Sequence, residues 1–146
     1  EAMIGFLDSL GPLDDPVIEA MRLSQRSRAR LALDDPVGAV KDARRARALQ
    51  PDEPRYGESL GDAALAAGAP DEAIEAFRQT LAQVARRSGS PDWRARLYRK
   101  TGEAEERAGR RHDAYDSYKK ALALDPDEPV AARRVEEIEA AAGVRP

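Results

Sequence analysis

The sequence predicts an all-α fold in which pairs of helices repeat along the chain and one further helix closes the array. Three observations support this prediction. Apolar residues recur at helical spacing, as in the run Ile18, Met21, Leu23, Leu31 and Leu33. No segment of useful length alternates polar and apolar residues with a period of two, so no strand is expected. Related residue patterns return after 34 positions, a length that suits a two-helix unit.

The repeat is visible in three independent markers. The string ALQPDEP at 48–54 returns 75 residues later as ALDPDEP at 123–129. Two sets of small residues recur at offsets of 34 and 41; they are Ser27, Gly61 and Gly102, and Ala39, Ala73 and Ala114. The shared offsets predict a 34-residue repeat with seven extra residues between the second and third copies.

Local signals bound the predicted helices. Asp15, Asp35 and Ser90 each precede a proline, and a capping oxygen followed by proline at the first helical position favours a helix start. Gly68 and Gly109 are expected to end helices, because glycine tolerates the left-handed conformation common there. The predicted helices are 15–33, 36–49, 54–68, 70–87, 91–109, 111–124 and 128–142.

Two segments outside this pattern have their own predictions. Residues 3–13 carry an apolar stripe that is broken by glycine and proline, and they either pack on the first repeat or are the remnant of a preceding one. The insertion at 86–90 is expected to lengthen a second helix and add a mobile loop.

These residues resemble the tetratricopeptide repeat, a helix–turn–helix unit with the pattern W-x₂-L-G-x₂-Y, then A-x₃-F, then P. The matching residues are Leu60, Gly61, Ala73 and Phe77 in the second repeat, Tyr98, Gly102, Ala114, Tyr118, Ala121 and Pro126 in the third, and Ala39, Ala46 and Pro51 in the first. Leu23 and Ser27 stand where the pattern has tryptophan and glycine. The resemblance implies tandem repeats stacked into a short right-handed α-solenoid with a C-terminal capping helix.

The predicted organisation has three parts. Residues 1–19 form an N-terminal apolar extension and the start of the first helix. Residues 20–128 hold three repeats, at 20–53, 54–87 and 95–128, with the insertion at 88–94. Residues 129–146 form the capping helix and tail; its exposed side is expected to carry Arg133, Arg134, Glu136, Glu137 and Glu139.

Composition argues against catalysis and against several partners. The 146 residues include no Cys and one His, so neither a thiol nucleophile nor an ordinary zinc site is expected, and no cofactor is predicted. There are 24 basic and 27 acidic residues and 5% aromatics, which favours neither nucleic acid nor membrane binding. The most apolar stretch is far shorter than a spanning helix. The lack of Cys suits cytoplasm and periplasm equally.

Individual reactive residues also point to structural roles. His112 is predicted to be a solvated residue at a helix start rather than a general base. The acidic run Glu103, Glu105 and Glu106 is predicted to be a solvated face, because adjacent helix positions do not converge. Trp93 and Tyr98 are expected to pack in the core or under a cap. The protein is therefore not expected to be an enzyme.

The resemblance implies a binding role, because first helices line the concave groove of such arrays and ligand peptides lie there. On that pattern the groove residues are Ser24, Gln25, Arg28 and Leu31, then Arg55, Glu58, Ser59, Asp62 and Leu65, then Arg96, Arg99, Lys100 and Glu103, and finally Arg133 of the cap. The basic cluster at 96–100 either binds a carboxylate-bearing protein or peptide, or is a solvated charged face.

The implied function is a protein–protein interaction scaffold, with two alternatives. Family members that bind chaperones hold a C-terminal carboxylate with lysines and asparagines. In this sequence Ser24, Arg28 and Ser59 replace those residues, and only Arg96 and Lys100 have the same type of charge as the pattern. Self-association through residues 3–13 or the terminal helices would give a homo-oligomer. A start at Glu1 rather than Met also leaves open the regulatory repeat domain of a larger enzyme.

Overall fold

The computed structural model describes residues 1–87 and 89–143, and the secondary structure in those ranges is entirely helical. In chain order the elements are α1 (Ala2–Ser9), α2 (Pro16–Ala32), α3 (Pro36–Leu49), α4 (Pro54–Ala66), α5 (Pro70–Arg86), α6 (Pro91–Arg107), α7 (Arg111–Leu124) and α8 (Pro129–Ala141). The chain divides into two compact units, Glu1–Ala76 and Phe77–Pro146, and the boundary falls inside α5. None of the helices in the described ranges is long and apolar enough to cross a membrane.

The helix starts follow the predicted capping chemistry. Asp15, Asp35 and Ser90 each accept a hydrogen bond from a backbone N–H two or three residues later, at 2.8, 2.9 and 3.2 Å. Such bonds satisfy backbone donors that the helix itself leaves unpaired. Glu53 and Glu128 cap α4 and α8 in the same way, although the sequence prediction did not identify them as caps.

The predicted helix ends are also confirmed. Gly68 and Gly109 have φ values of +73° and +76°, which a side chain would strain. As predicted, the insertion follows a lengthened second helix: α5 has 17 residues against 14 in α3 and α7. The predicted loop includes Ser88, which lies outside the described residues.

In the first unit, α2, α3 and α4 bury small and aliphatic residues between them. Two clusters form this core; they contain Ala20, Leu23 and Ala46, and Ala39, Val40, Ala43, Leu60, Ala63 and Ala76. The apolar run that predicted α2 does not share one buried face. Ile18 and Met21 are about half exposed, because at 100° per residue they lie on the other side of α2 from the buried Ala20 and Leu23. Leu33, directly after the helix, is also about half exposed.

Residues 3–13 do pack on the first repeat, through α1. Leu7 is buried, and its carbonyl oxygen accepts a hydrogen bond from Arg22 at 2.7 Å. Arg26 also pairs with Asp8 at 2.5 Å. Only one residue of the apolar stripe is buried by this packing, so most of the stripe remains open to solvent.

The second unit has a core between α7 and α8, which confirms that the last helix covers an apolar face. Ala114, Tyr118 and Ala121 of α7 pack with Ala131 and Val135 of α8. The predicted outer face of α8 is only partly exposed. Arg134 turns inward to pair with Glu106, and Glu139 accepts a hydrogen bond from Tyr115.

The small residue of the repeat pattern has a visible packing role in each unit. A Cβ atom on Gly102 would lie 2.7–2.9 Å from the ring of Tyr118, so α6 and α7 approach closely only without a side chain there. In the first unit, Ser27 occupies the equivalent position and donates a hydrogen bond to the carbonyl oxygen of Ala39 at 2.9 Å. The serine therefore fits by bonding to the facing helix.

Candidate functional site

The predicted binding residues of the first unit lie on α2 and α4. On α2, Gln25 and Arg28 are exposed and Ser24 is half-buried, so all three reach the surface. They recur at three and four residues and therefore share one face of the helix. The Asp15 cap fixes where this helix begins and so sets which residues face outward.

The α4 set presents one exposed cation among half-buried polar residues. Arg55 is 78% exposed and pairs with Glu53 at 3.1 Å, while Glu58, Ser59 and Asp62 are half-buried. The four positions share a face by their three- and four-residue spacing.

Two apolar residues predicted for these faces contact the core. Leu65 is buried and so is not part of an exposed face. Leu31 is half-buried: it packs against the cluster formed by α3 and α4 and still reaches the surface.

The α6 set is the most basic of the predicted faces. Arg96 is exposed, and Arg99, Lys100 and Glu103 are half-buried. The Arg99 guanidinium pairs with Glu103 one turn later and with Glu128, which caps α8, at 3.2 Å. One cation of the cluster therefore helps to fix the start of α8 while it faces the surface.

Arg133 of α8 is exposed and lies 3.9 Å from Glu137. An exposed ion pair of this length adds little to stability. The structure therefore leaves Arg133 at the surface, and it places Arg99 and Glu103 in direct contact.

The acidic run on α6 is not a solvated face, which corrects the prediction. Glu105 is 1% exposed; one carboxylate oxygen accepts a hydrogen bond from Arg78 at 2.7 Å and the other from Ser117 at 2.6 Å. Neighbouring positions on a helix point in different directions, so one residue of an acidic run can enter the core. A cation from α5 and a hydroxyl from α7 compensate for its burial.

Glu106, the next residue, also has partners. Hydrogen bonds from Arg134 oppose the effect of partial burial and hold the pKa of this carboxyl below its ordinary value. Burial, with a hydrogen bond to Glu106, raises the pKa of the Tyr118 hydroxyl. Both groups connect α6 and α7 with α8 and keep fixed charge states near neutral pH.

The first unit contains buried ion pairs that the sequence analysis did not find. Asp42 of α3 is 2% exposed and accepts hydrogen bonds from Arg26 at 2.7 and 2.8 Å and from Arg30 at 2.8 Å. Glu19 and Arg22, both buried, pair within α2 at 2.8 Å. The Arg22 hydrogen bond outweighs burial and lowers the pKa of Glu19. The only available signal was opposite charge at compatible helical spacing.

The residues considered for chemistry have structural positions. His112 is 89% exposed on the first turn of α7, and its Nδ1 atom lies 3.6 Å from Asp116. Tyr98 packs half-buried beside the α7–α8 core, with the Lys120 ammonium 5.9 Å from its ring centre, and Trp93 is half-buried. The described residues contain no cluster of side chains suited to hold a metal ion.

Comparison with known proteins identifies the repeat. The tetratricopeptide repeat model matches residues 56–127. No curated protein sequence matches this chain. Solved structures share the fold. A crystal structure of MamA is 19% identical, with a TM-score of 0.77 over 90% of this chain and 72% of that chain.

Two further structures carry peptides. The first tetratricopeptide repeat domain of Spaghetti (RPAP3), bound to the HSP90 peptide SRMEEVD, is 16% identical with a TM-score of 0.75, over 87% of this chain and 95% of that chain. The second such domain of human RPAP3, in complex with the HSP70 peptide SGPTIEEVD, is 16% identical with a TM-score of 0.74, over 86% of this chain and 98% of that chain. The family model therefore identifies tetratricopeptide repeats in residues 56–127, and the chain shares the fold of tetratricopeptide repeat domains.

Proposed function

We propose that this protein is a non-catalytic interaction scaffold that binds a partner protein or peptide through the exposed face of the first helix of a repeat. The basic face of α6, formed by Arg96, Arg99 and Lys100, is the observation that carries the proposal. Two structures of the same fold hold peptides that end in EEVD, which supports a ligand with acidic side chains and a free carboxylate.

The α6 face has the chemistry to hold such a ligand. Its three cations lie within five consecutive residues, which span about one and a half helical turns. Hydrogen bonds between guanidinium or ammonium groups and a carboxylate contribute about 1.5–3 kcal/mol each. Arg99 is held by Glu103 and Glu128, so its side chain is ordered before a ligand arrives. Ordering in advance lowers the entropy cost of binding.

The α2 and α4 faces of the first unit carry polar groups rather than a second basic cluster. Gln25, Ser24 and Ser59 supply uncharged hydrogen-bonding groups, and Arg28 and Arg55 supply isolated charges. These residues differ from the lysines and asparagines of the chaperone-binding pattern. We therefore propose an acidic, carboxylate-bearing partner and assign no chaperone.

A peptide library tests this proposal. Fluorescent heptapeptides with free C-terminal carboxylates, half acidic and half neutral and including SRMEEVD, are titrated by anisotropy. Acidic peptides should bind more tightly than neutral ones, and C-terminal amides should bind more weakly. The double variant Arg96→Glu, Lys100→Glu should weaken the best acidic peptide at least tenfold, because about 1.4 kcal/mol corresponds to a factor of ten.

The matched control, Arg86→Glu with Lys119→Glu, reverses the charge of two exposed side chains elsewhere in the same unit. It changes the net charge by the same amount as Arg96→Glu with Lys100→Glu. It should alter binding by less than twofold at physiological salt, where separated surface charges are screened. A library with no binder, or equal losses in both double variants, would reject the α6 face as the binding site.

Self-association is a second candidate, because the first unit exposes apolar side chains on two neighbouring helices. They are Met3, Phe6, Leu10, Val17, Ile18 and Met21, each between 44% and 63% exposed. Exposed apolar groups of this kind favour association. Sedimentation equilibrium should then show a concentration-dependent dimer that Phe6→Ser with Met21→Ser abolishes. A wild-type chain that stays monomeric at high micromolar concentration contradicts it.

A further inference from the structure

The second unit contains a pocket that the proposed function does not use. Its volume is about 400 Å³, within the range of small-ligand sites, and its walls come from α5, α6 and α7. The α6 residues that line it recur at three and four residues; they are Arg94, Tyr98, Thr101 and Glu105. At 100° per residue, this set faces about 180° away from the set at 96, 99, 100 and 103. The pocket and the basic α6 face are therefore separate surfaces.

At one end of the pocket, the polar side chains already have hydrogen-bond partners within the protein. The buried Glu105 carboxylate forms the floor there, and both of its oxygens accept hydrogen bonds, from Arg78 and from Ser117. Thr101 is also satisfied, because its hydroxyl donates to the carbonyl oxygen of Leu97 at 2.8 Å. These groups fix the floor and offer no unpaired charge to a ligand.

The other end carries cations without a carboxylate partner in the described residues. The Lys120 ammonium lies 5.9 Å from the ring centre of Tyr98 rather than beside an acid. Arg94, one helical turn before Tyr98, is half-buried, and its guanidinium makes no ion pair with any residue that the structure describes. A half-buried cation without a partner retains most of its attraction for an anion.

The pocket also contains two acids. Asp113 and Asp116 line it, but neither forms an ion pair with Lys120 or Arg94 among the residues that the structure describes. Asp116 faces His112 at 3.6 Å. The Glu105 carboxylate is therefore paired with Arg78, whereas Lys120 and Arg94 form no ion pair among the described residues.

Between the two ends, α5 supplies an apolar wall. Leu81, Ala82 and Ala85 line the pocket from α5, and Tyr98 lines it from α6. An apolar or aromatic group of a ligand fits between an aliphatic wall and a ring, while a carboxylate attached to it reaches the cations. Neither the apolar wall nor the cations alone would select a molecule that has both an apolar group and a carboxylate.

We infer that this pocket binds a carboxylate joined to an apolar group, about the size of one to three amino-acid residues. Lys120 and Arg94 hold the carboxylate, and Tyr98 with the α5 wall holds the apolar part. Such a ligand is either a small organic acid or an apolar residue at the C terminus of a peptide, and both share this chemistry.

The test uses defined probes and amide shifts of the ¹⁵N-labelled protein. N-acetylphenylalanine represents the small acid, and the tripeptide Gly-Gly-Phe represents the peptide terminus; their C-terminal amides and N-acetylarginine amide are the comparisons. We expect saturable shifts at 94, 98, 101 and 120 in the low-millimolar range for the free acids, as suits ligands of this size. The amides should bind at least tenfold more weakly. The free acid that binds more tightly identifies the source.

Variants separate a specific site from nonspecific attraction. Arg94→Gln with Lys120→Gln should lower affinity at least tenfold. Ala82→Phe should abolish binding, because this exposed position lines the pocket and a ring there fills it without entering the core. The control pair, Arg86→Gln with Lys119→Gln, changes net charge equally on neighbouring residues and should alter affinity less than twofold.

Three results would overturn the inference: amides that bind as well as acids, tighter binding of N-acetylarginine amide, or unchanged affinity in the Arg94→Gln, Lys120→Gln variant. Each outcome is independent of the proposed function, because the peptide site on the opposite face of α6 is read from the shifts at 96, 99, 100 and 103.

Discussion

The close approach of α6 and α7 at Gly102 predicts that even a methyl group there destabilises the second unit. A Cβ atom would lie 2.7 Å from Cε1 of Tyr118 and 2.9 Å from Cδ1 and Cζ. Carbon atoms normally pack at about 3.5–4.0 Å, so the ring has to move by about 0.8 Å or more. Tyr118 is 1% exposed and packs against Ala121, Ala131 and Val135, which leaves it little room.

Two opposing terms set the size of the effect. Replacing glycine by alanine inside a helix is favourable by about 0.5–1 kcal/mol, whereas overpacking a core costs about 1–3 kcal/mol. Gly102→Ala should therefore lower the free energy of unfolding by about 0.5–2 kcal/mol and the melting temperature by about 2–8 °C. Urea unfolding followed by the fluorescence of Trp93, the only tryptophan, reports on this unit.

Gly5→Ala is the matched control, because no other atom lies within 4 Å of the added Cβ. It should leave stability unchanged or raise it by up to about 1 kcal/mol. A second check is the Tyr118→Leu background, where Gly102→Ala should cost less because the ring is gone. If Gly102→Ala is as stabilising as Gly5→Ala, the reasoning about small residues between paired helices is refuted.

Three further predictions concern the ion pairs and the cap. Asp42→Ala should lower the free energy of unfolding by about 2–4 kcal/mol, because the substitution leaves Arg26 and Arg30 without their buried acid. Denaturant unfolding measures this loss, and a loss below about 0.5 kcal/mol would contradict the prediction. The pKa of Glu106 is lowered in the folded protein, so this carboxylate stabilises the fold above its ordinary pKa of 4.5, and the stabilisation is lost as pH falls through the lower folded pKa. Glu106→Gln should therefore flatten the acid side of a plot of melting temperature against pH. Parallel plots for the variant and the wild type would argue against the Arg134 pair. Deletion from Pro129 onward should expose Tyr118 and Ala121 and lower the melting temperature, whereas a truncated chain that is equally stable and monomeric would contradict the capping role of α8.

Helix boundaries were predictable from the sequence because they depend on local chemistry. A capping oxygen before proline and a glycine after the last turn act within a few residues, so Asp15, Asp35, Gly68 and Gly109 could be interpreted without knowing the fold. Packing at repeat positions was predictable for a related reason, since a fixed period places equivalent residues in equivalent contacts.

The charged interior was not predictable in this way. Glu105 is buried because Arg78, 27 residues earlier, and Ser117, 12 residues later, reach it from two other helices. No local pattern distinguishes it from Glu103, which stays near the surface.

The most direct test of the account is a map of amide shifts when the tightest acidic peptide of the library is titrated into the ¹⁵N-labelled protein. Binding through the basic α6 face should give shifts on α6 that concentrate at 96, 99, 100 and 103. These shifts should be lost in the Arg96→Glu, Lys100→Glu variant while the spectrum stays dispersed. Shifts confined to other surfaces, or no saturable shift with any acidic peptide, would contradict the claim that this repeat array binds its partner through the basic face of α6.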